Sequence, residues 1–464
     1  MMNRQEVLDL LYEKYIAPTK CKEDLFIGVE IEIPIINLAR HPVDFEVVHD
    51  LTRRFKEHFG FYVAVLDENK NASSLVNFMN DDILSYDCSY NNLEFSFGKE
   101  SDLSTVQNRF TAYYRYCREA LEESGHTLTG MGINPFRKYN RLEPIPNGRY
   151  RMLFHHLSDY TKYRSRIPMF FHPYPSYGMF SSASQVQLDV RYEDLIETIR
   201  AFSLLEPVKA LLFSNSVLTE EREEMLCCRD MLWENSTHGI NPHNIGMFDN
   251  IPGSIEELLE YFASTSIYCT EQDGKYINFE PVNIVEYFGL EEVHGEYYKD
   301  GVYHEITFQP IREDLRYLRS FKFVDLTFRG TIEFRSICCQ PIPDAMSVAA
   351  FHLGLIRQAR ELNELLEKDT ALYTHGYSAT ELRKLFNLRH WPEFVDQKAV
   401  RLLLTAVLTL SWDGLKARGL GEEIYLAPLF ARAEKLTNPA IELLTGLEKG
   451  VSIESLIESY GRAI

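Results

Sequence analysis

The run Phe26-Ile27-Gly28-Val29-Glu30-Ile31-Glu32-Ile33-Pro34 carries a period of two. Side chains of a strand alternate between its faces, so Ile27, Val29, Ile31 and Ile33 share one face while Glu30 and Glu32 share the other. Working outward, the same layout recurs. In Asn92-Leu93-Glu94-Phe95-Ser96-Phe97 the polar face holds Asn92, Glu94 and Ser96. In Gln185-Val186-Gln187-Leu188-Asp189-Val190 it holds Gln185, Gln187 and Asp189. Thr331-Ile332-Glu333-Phe334-Arg335 sets Glu333 and Arg335 on one face, a pleat apart.

Glu30 and Glu32 stand roughly 6.6 Å apart along such a strand. Their repulsion is about 0.6 kcal/mol in water and about 2.5 kcal/mol at an effective dielectric near 20. On an open sheet face the pair is harmless, and four solvated antiparallel strands would give this pattern too. Solvated strands, however, usually mix in Lys and Thr, and these faces hold almost none. In a cleft, Glu30, Glu32, Glu94 and Glu333 together need a compensating cation, and an all-oxygen set suits Mg²⁺ or Mn²⁺ better than zinc.

The chain of 464 residues, 45% apolar, can bury a large core in one big domain or two closely joined ones. Its 48 Lys plus Arg against 68 Asp plus Glu give a net charge of -20, which disfavours nucleic acid and anionic membrane surfaces as ligands. The N-terminal residues enter an amphipathic helix pattern without an apolar signal core, and Leu402 to Leu410 is too short to span a bilayer, so a cytoplasmic location is expected. Eight cysteines, with vicinal pairs at Cys227-Cys228 and Cys338-Cys339 and no C-x-x-C, indicate reduced thiols rather than zinc ligands or a disulfide framework.

Along the chain, helices are expected over about 4–16, 43–59, 104–123 and 192–205, and strands at 61–66 and 94–97. Gly130 to Pro135 reads as a strand entering a loop, and Val208 to Asn215 as a continued apolar run. The Pro-, Tyr- and Arg-rich stretch from Phe136 to Tyr177 reads as an active-site loop or lid. Ser254-x-x-Glu257 and Ser378-x-x-Glu381 are capping boxes that predict helices. Residues 266–330 are mixed, with Glu291 to Glu296 read as a solvated insertion. From Pro343 onward the pattern is helical, with stripes at Met346 to Leu365 and Ala399 to Leu410. This divides the chain into a catalytic part, 1–342, and a helical C-terminal subdomain, 343–464.

P-loop, G-x-G-x-x-G, G-x-S-x-G and H-E-x-x-H motifs are all absent, so any ATP must be held by metal-bridging carboxylates and arginines on a sheet. The four strand motifs, taken in order, resemble the glutamate-cysteine ligases and related carboxylate-amine ligases, which share the glutamine synthetase type of fold. Two more pieces fit the resemblance. Leu212-Phe213-Ser214-Asn215-Ser216 looks like the family's apolar strand end, and Arg229 with Trp233 looks like its Arg-x-x-x-Trp substrate segment.

The resemblance implies an α+β fold, a funnel of antiparallel sheet with helices packed outside and the active site within. It implies transfer of phosphate from ATP to a glutamate side-chain carboxylate, then attack of an amine on the acyl phosphate. Phosphoryl transfer between anions needs divalent cations and arginines. Glu30, Glu32, Glu94 and Glu333 are then the metal ligands, and Arg335 holds the transferring phosphate. Gln185 and Gln187 complete the metal or nucleotide shell, or are simply hydrogen-bonded amides within the sheet. Arg149 and Tyr150 resemble a family pair near the substrates. Arg229 clamps a substrate carboxylate and Trp233 walls the pocket, unless they are a helix ion pair and a core tryptophan.

Two departures bear on the substrates. Glu234-Asn235-Ser236-Thr237-His238 follows Trp233 where the family has a further arginine, and Cys338-Cys339-Gln340 stands where it has an aspartate. Glutamate and cysteine are the simplest pair, with another amino dicarboxylate, amine or peptide left open. Amide or phosphoester hydrolysis by two metals, and binding without turnover, are the competing readings.

Overall fold

The computed structural model describes residues 1–159, 162, 172–369, 371–373 and 376–463. Its strands in chain order are β1 (Ile27–Asn37), β2 (Tyr62–Leu66), β3 (Ala72–Val76), β4 (Ile83–Tyr86), β5 (Asn92–Glu100), β6 (His126–Leu128), β7 (Ser184–Asp189) and β8 (Ile245–Gly246). There follow β9 (Ser266–Gln272), β10 (Lys275–Asn283), β11 (Val293–Lys299), β12 (Val302–Phe308), β13 (Phe321–Lys322), β14 (Val324–Leu326) and β15 (Thr331–Phe334). The main sheet runs β14-β15-β7-β1-β5-β4-β3-β2, with β6 on the far end of β1, and its pairings are antiparallel. The motif-bearing strands are therefore consecutive neighbours, β15-β7-β1-β5.

The apolar face of β1 is closed. Ile27, Val29, Ile31 and Ile33 are buried in one core with Val48, Leu51 and Phe55 of the helix Phe45–Phe59 and Val106, Phe110 and Leu121 of the helix Leu103–Glu122. Each such side chain contributes roughly 1.5–3 kcal/mol on burial, which fixes which face of the sheet looks outward. Asp44 and Asp102 cap these helices by accepting from the Glu46 and Thr105 amides, and Gly60, at φ 69°, ends the first in the left-handed region. Helices and an antiparallel sheet thus pack as an α+β fold.

Several sequence expectations are corrected. Gly130 to Pro135 is not a strand: Gly132 N donates to Asn215 O and Asn215 donates to Gly130 O, packing this backbone against other chain segments. A Cβ on Gly130 would stand 2.2 Å from Gln340 O, which only glycine avoids. Leu212 and Phe213, expected from the resemblance to begin a strand end at Leu212 to Ser216, instead close the helix Glu206–Phe213. An apolar run this short does not distinguish the two by periodicity. The mixed region 266–330 holds a second antiparallel sheet, β12-β11-β10-β9, and the end of the Glu291 to Glu296 stretch, expected as a solvated insertion, lies within its strand β11. The stretch 136–177 contains the helix Gly148–Ser158, capped by Asn147; its positions 160–161 and 163–171 lie outside the described residues. The 346–365 stripe is broken into helices Met346–Ile356 and Ala359–Glu367.

Beyond β15 the described elements are helical. Ser378 and Glu381 form the expected capping box on the helix Ala379–Phe386, and Ser254 caps Ile255–Ala263. Leu353, Leu382, Leu404 and Val407 of this region share one core with the isoleucines of β1. Among the described residues no helix is long and apolar enough to cross a membrane. All eight cysteines are free, and six of them are buried.

Candidate active site

Strand register assembles the polar face. Glu32 lies opposite Glu94, which lies opposite Ser85; Glu30 lies between Gln185 and Ser96; Glu333 lies between Gln187 and Asp325. Directly opposed residues have Cβ atoms about 4.5–5.5 Å apart, so Glu32 and Glu94 repel one another unless something bridges them. This face lines a cavity of about 880 Å³, and all eleven residues selected from the sequence border it: Glu30, Glu32, Glu94, Glu333, Gln185, Gln187, Arg335, Arg149, Tyr150, Arg229 and Trp233.

The glutamine amides serve the carboxylates. Gln187 Nε2 donates to Glu30 at 3.0 Å and to Glu333 at 3.1 Å, while Gln185 Nε2 donates to Glu32 at 3.0 Å. The Ala183 amide holds the other Glu32 oxygen at 2.6 Å, and Ser96 donates to Glu94 at 2.7 Å. These bonds fix positions but leave the charge uncompensated. Burial, and then the charges of Glu333 and Glu94, push the Glu30 carboxyl well above its usual range. Glu94 is raised by burial and Glu32, and Asp87 by burial with Glu32 and Glu94. Asp325 is pushed up to about 7 by burial and then by Glu333. Such an array, made dearer by low dielectric, is what a cation relieves.

Arginines border the other side. Arg335 donates to Glu333, as period two requires, and its guanidinium lies 5.7 Å from the Phe321 ring centroid. Burial opposes its charge, yet Glu333 and Asp325 outweigh that and hold its pKa above the ordinary value. Arg229 and Trp233 sit on one helix, Cys228–Glu234. Arg229 is 7% exposed and donates to Ile337 O at 3.3 Å, while its Nε, like Trp233 Nε1, is buried without a partner among the described residues. Trp233 stacks on His238 and leans on Phe321 and Tyr177. Arg149 and Tyr150 occupy the first turn of the helix Gly148–Ser158, where Tyr150 donates to Tyr86 O at 3.0 Å.

The residues fit hard divalent ions. The donor set is all oxygen, its carboxyls repel one another, and Gln185 Oε1 is buried without a partner among the described residues. Among the described residues the trio of His155, Asp159 and Glu296 brings ligand atoms within 4.8 Å of one another, but it lies outside this cavity lining and Lys162 already bridges its two carboxylates. The sheet carboxylates form no trio that tight. Their spacing suits ions whose coordination is completed by substrate oxygens rather than an all-protein cage.

Among the bordering residues that escaped the sequence reading are Asp87, Asp325, Arg319 and His238. Asp325 had a legible signal, because Val324-Asp325-Leu326 repeats the apolar-acid-apolar alternation on a strand too short to notice. Asp87, Arg319 and His238 lie outside strands, where no period marks them.

The family described as Glutamate-cysteine ligase family 2 (GCS2) matches residues 26–459. The chain is 24% identical over 329 residues to the chloroplastic glutamate–cysteine ligase of Brassica juncea, covering 70% of this chain and 59% of that enzyme. It is 25% identical over 348 residues to the Arabidopsis thaliana counterpart, covering 73% and 61%. The chain thus spans about three-fifths of the length of these curated relatives. Among solved structures, glutamate–cysteine ligase of Francisella tularensis in complex with AMP superposes with a TM-score of 0.50 at 13% identity, covering 95% of this chain and 88% of that one, a likeness of fold. With the family matched across nearly its whole length and the carboxylate-lined sheet in place, this chain belongs to the glutamate-cysteine ligase family 2.

Proposed function

We propose that the chain is an ATP- and Mg²⁺-dependent carboxylate-amine ligase, with glutamate and cysteine as its first candidate pair. The observation that carries the reading is the carboxylate array of Glu30, Glu32, Glu94 and Glu333 on neighbouring strands, bordering one cavity with Arg149, Arg229 and Arg335. In this reading the sheet curves as a funnel around the site, residues 1–342 form the catalytic part and 343–464 a helical subdomain. Membership of the family supports it, and the Francisella tularensis protein's complex with AMP is in keeping with an adenine nucleotide.

Glu30, Glu32, Glu94 and Glu333 would hold the ions, and Mn²⁺ would serve in place of Mg²⁺. When bound, the ions supply neutralisation of phosphate charge. Gln187 and Gln185 keep these carboxylates oriented through their amides. Arg335 donates to the phosphoryl oxygens as the terminal P–O bond of ATP breaks and a bond to the substrate's side-chain carboxylate oxygen forms. The amine nitrogen then attacks the acyl carbon, phosphate leaves with the electron pair of the C–O bond, and the amine loses a proton. Arg229 clamps the acid substrate's backbone carboxylate, with Trp233 and Tyr150 as walls and Arg149 toward the nucleotide. The segment after Trp233 and Cys338-Cys339 depart from the family pattern, so the amine is the part of this reading most in need of a panel.

The test is phosphate release from ATP with Mg²⁺, for the wild type and Glu333→Gln, with L-glutamate, with and without L-cysteine, and then with other amines. Turnover that needs both an acid and an amine and falls at least about a hundredfold in the variant is the expected result. No stimulation by any pair would overturn the ligase reading.

A further inference from the structure

The helix Ala379–Phe386 sends one buried arginine toward the site without reaching the cavity. Arg383 is 3% exposed, and each of its five N–H donors finds an acceptor. Nε and Nη2 grip the two oxygens of Asp230 at 2.7 and 3.0 Å. Nη1 donates to Glu206 Oε2 at 2.8 Å and to Glu206 O at 3.0 Å, and Nη2 also donates to Ser336 O at 3.4 Å. The guanidinium carbon lies 4.7 Å from the Phe323 ring centroid. Asn387, one turn on, donates to the same Asp230 carboxylate at 2.6 Å.

The acceptors are informative by their neighbours. Asp230 follows Arg229, and Ser336 follows Arg335. Two chain segments that are far apart in sequence, each bearing one of the cavity's arginines, are therefore tied to one planar group from a third. Glu206 completes the tie, since its carboxylate also accepts from Ser336 Oγ at 3.2 Å and from Lys209 at 2.7 Å. A fork of five directed donors fixes both distance and angle between these segments, which a lysine's point charge cannot do.

We propose that Arg383 is a positioning residue that sets Arg229 relative to Arg335, so that the helical C-terminal region determines how the acid substrate is held against the transferring phosphate. The proposal rests on the ligase reading of the site, and the experiment keeps the two apart.

Arg383→Lys retains the charge, and Asn387→Ala is a gentler variant that leaves the arginine in place while removing one donor to Asp230. In the kinetic arm, Arg383→Lys is expected to raise KM for the acid substrate about tenfold or more while KM for ATP stays within about twofold, with Asn387→Ala moving the same constant less. A fall in kcat alone, with both KM values unchanged, is what a merely structural role gives and would overturn the proposal. In the second arm, Trp391→Phe and Trp412→Phe leave Trp233 as the sole tryptophan, since the chain has three. Arg383→Lys in that background is expected to red-shift its emission and increase acrylamide quenching, because Trp233 shares a helix with Asp230. Wild-type protein without ATP turnover, but with a Trp233 response, sinks the ligase reading and keeps the positioning role. Unchanged Trp233 emission and quenching in Arg383→Lys sinks the positioning role whatever the activity.

Discussion

Asp325 lies opposite Glu333 across β14 and β15, and the cost of that neighbour has a defined pH signature. Its carboxyl titrates near 7 in the fold against an ordinary 3.8. Between about pH 4 and 7 the unfolded chain releases a proton that the folded protein keeps, so stability falls as pH rises through this window and levels off above it. Glu30, Asp87 and Glu94 are raised too and act with the same sign. In metal-free buffer, Asp325→Asn is therefore expected to be more stable than wild type at pH 8 by about 1 kcal/mol or more, with the gap closing towards pH 4. Thermal unfolding at both pH values checks this; a variant less stable than wild type at pH 8 refutes it. At this scale Glu30, Glu32, Glu94 and Glu333 were legible because a period of two marks them. Arg319 and Asp87 were not, since nothing local distinguishes a loop residue that lines a cavity from one that faces water.

A single strand carries the two opposed functions of the fold. On β1, Ile31 is 1% exposed and belongs to the core, so Ile31→Ala is expected to cost about 2–5 kcal/mol. Glu30, the next residue, faces the cavity, and Glu30→Gln is expected to leave stability unchanged or raise it in metal-free buffer by removing repulsion. Urea denaturation of the two variants measures the contrast; similar losses from both would mean that the polar face is structural. The alternation of β1, β5, β7 and β15 reads directly because one face is buried and the other is acidic. The second sheet, β9 to β12, was missed for the opposite reason: its Lys, Glu and Tyr residues, many of them half-buried or exposed, blur the period. Leu212 and Phe213 read as the start of a strand end because every residue of their helix, Glu206–Phe213, is buried, which erases the helical stripe.

For the whole molecule, the excess of carboxyls in the cavity predicts a link between ions and stability. Mg²⁺ is expected to raise the thermal midpoint of the wild type, by the equivalent of about 2.7 kcal/mol at a hundred times its Kd. EDTA should reverse the shift, and Glu333→Gln should shrink it. A midpoint indifferent to Mg²⁺ at pH 8 would remove the metal from the site. The gain is expected to be larger at pH 8 than at pH 5, because ions bind the deprotonated carboxylates.

The sequence by itself determined the alternating strands, the acidic face, the helical character of the C-terminal region and the family resemblance, because each is written in local periodicity or in short ordered motifs. Only the tertiary structure decided that β15, β7, β1 and β5 are adjacent, that Glu32 faces Glu94 and that Asp325 faces Glu333. Register is a relation between distant segments, set by which buried faces fit together, and no period within one strand encodes its partner. The tie from Arg383 to the segments bearing Arg229 and Arg335 belongs to the same class. Its five hydrogen bonds join residues 47 to 177 positions apart in the chain, and they exist only once the core has brought those segments together.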